Sequence, residues 1–465
     1  MASWKFFACV LVTSLLSSFP SYYFAVVNVP VDVFKRFINE TFQDSYGIEL
    51  EPGKLTLEGL LKAFKLSVFS FTVTIFNIGT VVGSATVAFF ADRFGRRLSL
   101  MVYNNAIAIA ACILMGFSQL GNSFVMLVLG RLAVGFCAGL AWALMAVYLT
   151  EISPVKWRGF SASCENLMIT TNTLFTLGIA LPQFLGTWER WMMLQGLGLP
   201  FAVLQIFLTP LFPESPKYLY LQKNDPDGAR KALLFSEPDL KEEEILKMFS
   251  HFQSENREMQ ESISTKTALK VSYIRTPILI SIICNFASIS TGIVVIFSYS
   301  TGLFEDINFS REQAQYSSIF MSVCNTKYHP DLTWPAYISI LAMLVHVTIF
   351  NVGPGAISWF ASSEMTPQCA RSIGATLSVT IGGLCTIFLN FTFPAIQDWL
   401  ASGDERHAPF AFLILILPCL FFTAFLFFRM PETKNRPIDE IVNIWRRNSK
   451  TVINSEEHGP LTTKF

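Results

Sequence analysis

Long apolar runs alternate with polar segments along most of the chain. A helix needs about 20 predominantly apolar residues to cross the hydrocarbon core of a bilayer. The apolar piece at residues 319–323 is too short to cross. Ten runs are long enough, and they cover residues 5–27, 66–91, 98–117, 124–149, 160–185, 190–212, 277–304, 334–362, 372–396 and 409–429. The pattern therefore predicts an all-α membrane protein with about ten spans.

The second and third runs are joined by the turn Asp92-Arg-Phe-Gly-Arg-Arg97. Guanidinium groups enter hydrocarbon only at a high cost, so this turn is expected in water between two spans. A short arginine-rich loop is typical of the cytoplasmic side, and Gly95 allows the chain to reverse there. Counting spans from this turn places both termini in the cytoplasm and residues 28–65 outside. The turn also has a simpler interpretation, as a topology signal only.

The span pattern predicts four regions. A six-helix bundle covers residues 1–212, and a cytoplasmic linker with short helices covers residues 213–276. A second bundle of four spans covers residues 277–429, and residues 430–465 form a cytoplasmic tail. The first run also resembles a signal peptide, but it is long enough to span the membrane. The spacings Gly79/Gly83 and Gly135/Gly139 predict that two helices approach closely.

Composition excludes several classes of protein. The chain is 52% hydrophobic and only 15% charged, whereas soluble domains carry about 25% charged residues. A net charge of zero gives no support for nucleic-acid binding. The nine cysteines form no CxxC motif or Cys/His cluster, so neither a disulfide framework nor a metal site is predicted. No cofactor and no nucleophile–base set is indicated, so no enzyme is expected.

Two further features bear on topology and coupling. The sequons Asn39-Glu-Thr41 and Asn308-Phe-Ser310 both lie on the predicted outside, as glycosylation requires. No Asp or Glu lies in the first run. A proton-coupled carrier usually needs a titratable carboxylate within the membrane, so this absence favours an uncoupled one.

Two halves of the chain repeat the same charged motifs. Glu151-Ile-Ser-Pro154, followed by Arg158, matches Glu364-Met-Thr-Pro367, followed by Arg371. Pro213-Glu214-Ser215 likewise matches Pro431-Glu432-Thr433. A parallel repeat is typical of a carrier built from two similar bundles. The second half has no counterpart of the arginine turn and has four spans where the first has six.

The repeated charges predict ion pairs at the cytoplasmic ends of the bundles. Such pairs would stabilise the outward-open form and break when the inside opens. The alternative is a set of solvated anchor charges with small individual effects. Arg96, Arg97 and Arg158 are expected to pair with Glu151 and Glu214, Arg371 is expected to pair with Glu364 and Glu432, and Arg93 belongs to the same set.

The chain resembles the facilitative sugar transporters of the major facilitator superfamily, with two helical bundles. The resemblance covers nearly the whole chain except residues 311–333, where about 35–40 residues of the family's eighth and ninth spans are missing. It is carried by Asp92-Arg-Phe-Gly-Arg-Arg97, Gly130-Arg131, Tyr148-Leu-Thr-Glu151, Arg158-Gly159, Pro213-Glu-Ser-Pro-Lys-Tyr-Leu219, Val352-Gly-Pro-Gly-Ala-Ile-Ser-Trp359 and Pro431-Glu-Thr-Lys434.

The resemblance implies alternating access of a hexose between the two bundles. Stripping water from a sugar requires partners for its hydroxyls, which amides provide, and an indole can cover its apolar face. The asparagines have an alternative role in bonding neighbouring helices, and Trp359 has one as an interfacial anchor. The resemblance implies that the sugar binds Asn166 and Ser288, where the family has Gln, and Asn351, where it has Glu. It also implies Trp359 in the site and Tyr299 in an extracellular gate.

These observations predict an uncoupled hexose transporter of the plasma membrane, with a sugar and the lipid bilayer as partners. A second hypothesis is a truncated isoform that does not transport and acts as a sensor or interaction protein, or an incomplete gene-model product. Glucose, fructose and other polyols stay equally open, and so does the oligomeric state.

Overall fold

The computed structural model describes residues 3–27, 30–46, 68–260, 270–292, 371–401 and 413–431, together with Val345, Phe350, Met365, Thr366 and Trp445. Within these ranges the secondary structure is helical throughout, as the sequence predicts. The chain divides into two compact units, which are described separately.

The first unit contains the helices of residues 3–252. In chain order they are α1 (Trp4–Ser17), α2 (Ser21–Ala25), α3 (Val31–Tyr46), α4 (Val68–Ala85), α5 (Val87–Phe94), α6 (Arg96–Gly116), α7 (Phe124–Ile152), α8 (Arg158–Ile179), α9 (Trp191–Leu211), α10 (Pro216–Leu221), α11 (Pro226–Ser236) and most of α12 (Glu242–Gln260).

The second unit contains α13 (Ser272–Ser290), α14 (Arg371–Ala401) as far as Cys385, and α15 (Leu413–Arg429). Helix α13 packs against α15, with the rings of Phe286 and Phe422 5.6 Å apart. The predicted span at residues 334–362 lies outside the described residues.

Six helical stretches of the described residues are long and apolar enough to cross a membrane, or seven when α4 and α5 count as one bent span. They agree with the predicted runs to within a few residues, apart from the run at 277–304, whose helix begins earlier, at Ser272. Helix α8 and helix α15 contain shorter apolar stretches.

The first predicted span is interrupted in the structure. Helix α1 ends at Ser17 and α2 begins at Ser21, directly after Pro20, whose nitrogen cannot donate a hydrogen bond. The Tyr22 and Tyr23 hydroxyls donate to carbonyls of α9, at Leu194 and Gln195, over 2.9 Å each. The broken helix is therefore held by side chains of the same span.

Helices α4 and α7 touch backbone to backbone. A Cβ atom on Gly135 would lie 2.1 Å from the Phe76 carbonyl oxygen, and one on Gly139 would lie 2.0 Å from that of Thr80. The same holds in the other direction, where a Cβ on Gly79 would lie 2.2 Å from the Leu132 carbonyl oxygen. The close approach predicted from the glycine spacing is thus confirmed.

The segment between α2 and α4 contains a helix, α3, that the sequence did not predict. Helix α3 buries Phe34 and Phe37 against the fully buried Trp191 of α9, at ring distances of 5.2 and 5.0 Å. The segment after residue 212 forms short helices, as predicted. Its own small core includes Ile245 and the stacked rings of Tyr220 and Phe249.

Candidate functional site

The arginine turn lies against the segment that follows α9. Helix α5 ends at Phe94, and α6 begins at Arg96 after Gly95, whose φ is +90°. A Cβ at Gly95 would lie 2.7 Å from Oε2 of Glu214 and 2.8 Å from the Tyr218 ring. Glycine is therefore needed here both for the reversal, as predicted, and for the approach of a carboxylate.

Arg96 and Glu151 form a largely buried ion pair. Nε of Arg96 lies 3.0 Å from Oε2 of Glu151, and the two side chains are only 11% and 14% exposed. Nη2 of Arg96 donates to Oε1 of Glu151 over 3.3 Å, and the Ser215 hydroxyl donates to Oε2. The Arg96 guanidinium also lies 5.4 Å from the Tyr218 ring centroid. This pairing was predicted from the sequence, and the structure brings it together.

Glu214 contacts Arg97 through the backbone. Its Oε1 accepts hydrogen bonds from the Arg97 amide at 2.9 Å and from the Ser215 amide at 3.0 Å. The Arg97 guanidinium donates instead to the Phe212 carbonyl over 2.8 Å. A carboxylate is favoured at the first turn of α6, where free amides and the helix dipole attract negative charge. The predicted contact thus exists, but the guanidinium does not make it.

Arg93 and Arg158 lie outside this network. Both are exposed, and neither forms an ion pair with any residue that the structure describes. The Arg93 guanidinium lies 6.0 and 5.9 Å from the ring centroids of Phe89 and Phe94. These distances are at the limit of a weak cation–π contact. In the second half, Arg371 begins α14, but its side chain, Glu364 and Glu432 lie outside the described residues.

Further polar contacts surround these charges, and the sequence did not predict them. The Tyr148 hydroxyl donates to the Pro213 carbonyl over 2.7 Å. Nε2 of Gln222 donates to Oδ1 of Asp92 over 3.2 Å. Tyr148 lies one helical turn before Glu151, and Ser215 follows Glu214 directly, so proximity to a predicted member was the available signal. We call Arg96, Arg97, Glu151, Glu214 and Ser215 the charge network.

The sugar-binding residues fall mostly outside the described part of the chain. Ser288 is buried near the end of α13, and its carbonyl accepts a hydrogen bond from the Thr291 hydroxyl. Asn166 belongs to α8, but its side chain is outside the description. Tyr299, Asn351 and Trp359 also lie outside it. They stay predictions from the resemblance.

A cavity inside the first unit is lined by Tyr23, Asn105 and Cys112. It holds about 20 Å³, which is enough for one water and far too small for a sugar. The cavity is therefore no candidate for the sugar site.

Helix α8 carries an acid that was not among the predicted functional residues. Glu165 is half-buried within this helix, one residue before Asn166. A carboxylate inside a predicted span is itself a signal of function, because charges are costly there. Glu165 argues against an uncoupled carrier. That expectation rests on the first run alone.

The two sequons have different outcomes. Asn39 lies in α3, with its side chain outside the description. Thr41 of the same sequon is buried, and its hydroxyl donates to Oδ1 of Asn122 over 3.2 Å. Asn308 lies outside the described residues. Glycosylation of either site stays a prediction.

Comparison with known proteins gives one family. The family model described as sugar (and other) transporter matches residues 9–328 and 316–445, in two segments that overlap at 316–328. Facilitated glucose transporter member 3 of solute carrier family 2 from Mus musculus is 30% identical over 459 residues, with 90% of this chain and 88% of that protein covered. Member 1 from Gallus gallus is 28% identical over 463 residues, covering 91% and 89%.

Solved structures show the same fold. The proton:xylose symporter XylE bound to 6-bromo-6-deoxy-D-glucose superposes with a TM-score of 0.72 at 19% identity, covering 96% of this chain and 100% of that one. The inward-open xylose transporter XylE from E. coli gives 0.67 at 18% identity, covering 95% and 100%.

Proposed function

Because the chain belongs to the sugar (and other) transporter family and has the major facilitator fold, we propose that it is an uncoupled hexose carrier. It works by alternating access in the plasma membrane, with both termini in the cytoplasm. Glucose and fructose are the substrates to test first.

The charge network is the observation that carries the mechanism. Its ion pair and its hydrogen bonds to carboxylates are largely buried, and they join the arginine turn, the end of α7 and the segment before α10. When two bundles rock about a central site, each must move as a rigid body. Buried, multiply bonded charges fix the geometry of this end, since removing one partner leaves the other uncompensated.

The charges outside the network are the proposed moving parts. Arg158 is exposed, so its guanidinium is free to form and break a pair during each cycle. Glu364, Arg371 and Glu432 are the proposed counterparts in the second half of the chain. Pairs of this kind that form only in one state shift the balance between outward-open and inward-open forms.

The sugar is proposed to bind Asn166, Ser288, Tyr299, Asn351 and Trp359. Amides and hydroxyls can each donate and accept, as a sugar hydroxyl requires when water is removed. The indole of Trp359 is proposed to stack on the apolar face of the ring.

Uptake in cells without their own hexose transport tests this function. Labelled glucose and fructose are expected to enter above the empty-vector level when surface expression is confirmed. The variant Glu151→Ala leaves Arg96 uncompensated and should loosen this end of the bundle, so inhibitor binding is expected to shift towards the inward side. Glu243→Ala, which removes an exposed acid of α12, is the control. Uptake equal to the empty vector would reject transport by this chain.

Proton coupling is the second candidate, and Glu165 is the observation that favours it. The helices of the first span, α1 and α2, hold no acid, whereas α8 holds this half-buried carboxylate. An uncoupled carrier should transport equally well with and without a protonophore. A coupled one should lose concentrative uptake, and Glu165→Gln should abolish its dependence on the proton gradient.

A chain that does not transport is the remaining alternative. The family match overlaps itself at residues 316–328, inside the stretch where two spans are expected to be missing. Sequencing the transcript decides between a transporting chain and an incomplete form. A message that encodes two further spans with an arginine-rich turn near residue 320 would mean that this form is incomplete.

Glycosylation tests the proposed orientation. If residues 28–65 face outward, Asn39 is expected to carry a glycan that a glycosidase removes. Because Thr41 is buried in the folded chain, the glycan should be attached before α3 packs. Asn39→Gln should reduce the mobility shift, and a native chain whose mobility the glycosidase leaves unchanged would contradict the topology.

A further inference from the structure

Helix α7 carries an arginine that is almost fully buried. Arg131 is only 1% exposed, although α7 is long and apolar enough to cross a membrane. Its Nε donates to the Thr72 carbonyl of α4 over 2.7 Å, and its guanidinium lies 5.8 Å from the centroid of the Phe76 ring. Its Nη1 is also buried, and no hydrogen-bond acceptor meets it among the described residues. The guanidinium thus makes one hydrogen bond where it has five N–H groups to donate.

No acid whose side chain the structure describes is placed to neutralise Arg131. Helices α1, α2, α4 and α6 pack against α7, and none of them contains Asp or Glu. In α3, Asp32 is exposed and Glu40 belongs to an exposed ion pair. Glu151 lies 20 residues further along α7, about 30 Å away. Glu165 lies in the first half of α8, which begins near that same end of α7.

A second unpaired donor follows Phe76 along α4. Asn77 is 7% exposed, and its Nδ2 is buried with no hydrogen-bond acceptor in the described part of the chain. The carbonyls of Phe76 and Thr80 lie against two glycines of α7. Arg131 stands one turn before the first of these glycines, and Asn77 stands one turn before Thr80. Both donors therefore lie along the same edge of the α4–α7 contact.

An unpaired cation and an unpaired amide donor together require an acceptor that carries negative charge. A guanidinium keeps its proton in proteins, so Arg131 cannot lose its charge. A buried charge without a partner is strongly destabilising. Water can accept a hydrogen bond, but it supplies no charge. Because both side chains are nearly closed to solvent, the anion that suits them is a small inorganic one rather than a large organic one.

We propose that Arg131 and Asn77 bind a small monovalent anion, of which chloride is the commonest, at the contact between α4 and α7. Nη1 of Arg131 and Nδ2 of Asn77 donate to the ion, and the ion supplies the charge that no described acid provides. Both residues belong to the first unit, which the ion stabilises. The inference does not rest on transport, because ion binding is measured without sugar.

Thermal unfolding of the purified full chain tests the proposal, with fluorescence-detected gel filtration after heating as the readout. The probe is sodium chloride, titrated against sodium gluconate at constant ionic strength, since gluconate is too large for a closed site. The matched variants are Arg131→Met and a control, Arg190→Met. Arg190 also donates to a backbone carbonyl, that of Phe184, but it is exposed.

Chloride should raise the unfolding temperature of the native chain by several degrees, and the rise should saturate. In gluconate alone, Arg131→Met should be more stable than the native chain, because the uncompensated charge is gone. Saturating chloride should remove this advantage, since only the native chain gains from it. The control should respond to chloride as the native chain does.

A second variant keeps the test valid if Arg131→Met does not fold. Asn77→Leu removes one proposed donor and nearly keeps the side-chain volume. It should need several-fold more chloride than the native chain for half of the temperature rise.

Three results would overturn the proposal. One is a native chain whose unfolding temperature is the same in chloride and in gluconate. Another is a chloride response that persists undiminished in Arg131→Met or in Asn77→Leu, which would place the ion elsewhere. The last is an equal loss of the response in Arg190→Met, which would indicate diffuse attraction to any arginine.

Discussion

Two helix pairs, one in each unit, are held together in different ways. Helices α4 and α7 of the first unit touch through their backbones, with a carbonyl oxygen 2.0 Å from where a Cβ of Gly139 would stand. Helices α13 and α14 of the second unit touch through side chains. There Nδ2 of Asn285 donates to the Ser378 hydroxyl over 2.6 Å, and that hydroxyl donates to the Ser281 carbonyl over 2.9 Å.

The difference shows which contacts can tolerate change. Lipid is as apolar as leucine, so helices in a membrane associate through close packing and through hydrogen bonds. Backbone packing is rigid, because neither carbonyl can move without displacing its helix. A side-chain contact can adjust, since rotamers can change. The two interfaces should therefore differ strongly in their sensitivity to a single added methyl group.

The largest effect is expected at the backbone contact. Gly135→Ala places its Cβ 2.1 Å from the Phe76 carbonyl oxygen and must force the helices apart. We expect a loss of about 3 kcal/mol or more, at or above the upper end of side-chain overpacking. Fluorescence-detected gel filtration after heating measures it. The control is Gly178→Ala in α8, which meets no atom within 4 Å and should be neutral or stabilising by up to about 1 kcal/mol.

The next largest effect is expected at Gly95, where an added Cβ would meet the carboxylate of Glu214. Alanine there must keep a φ of +90° and would lie 2.7 Å from Oε2 of Glu214. We expect a loss of about 2–3 kcal/mol from backbone strain and the displaced carboxylate. The same thermal assay measures it. If Gly95→Ala were as stable as the native chain, Glu214 would not be fixed at this turn.

A smaller effect is expected at the polar contact of the second unit. Asn285→Ala removes the interhelical hydrogen bond to Ser378, and with it a longer bond of 3.4 Å to the Ser281 carbonyl of its own helix, but leaves Ser378 bonded to Ser281. Interhelical bonds in membranes average about 0.6 kcal/mol and reach about 1.7, so we expect a loss of about 1 kcal/mol. A double-mutant cycle with Ser378→Ala isolates the pair. Strict additivity of the two single changes would contradict a direct contact.

The smallest effect is expected at Gly382→Ala. Its Cβ would lie 3.3 Å from Oδ1 of Asn285 and 3.4 Å from the end of the Ile289 side chain. Both neighbours are flexible side chains, so we expect a change below about 1 kcal/mol. A loss as large as that of Gly135→Ala would remove the contrast between the two interfaces.

The charge network illustrates the limit of sequence reasoning. The motifs placed Arg96 and Glu151 in one cluster, although 55 residues separate them along the chain. They also placed Glu214 near Arg97, across 117 residues. They did not predict that the backbone amide of Arg97 would bind Glu214. The Arg97 guanidinium donates instead to the Phe212 carbonyl. Backbone donors have no sequence signal, because every residue except proline carries one.

The spans show a similar division. The length and apolarity of each run predicted most helix positions, since both are local properties of the chain. The break before Ser21 and the 45° bend between α4 and α5 were not predicted. The tyrosine hydroxyls of α2 hold this break in place by donating to carbonyls of α9, and those partners are known only once the helices have packed.

The sequence by itself determined the membrane class, the family resemblance, most span positions among the described residues and the glycines of the α4–α7 contact. These depend on residue size and hydrophobicity, which each residue carries wherever it lies. Only the tertiary structure decided which donor meets each carboxylate and that the rings of α3 pack on Trp191 of α9. Those contacts join distant parts of the chain, and their geometry exists only once the helices have packed.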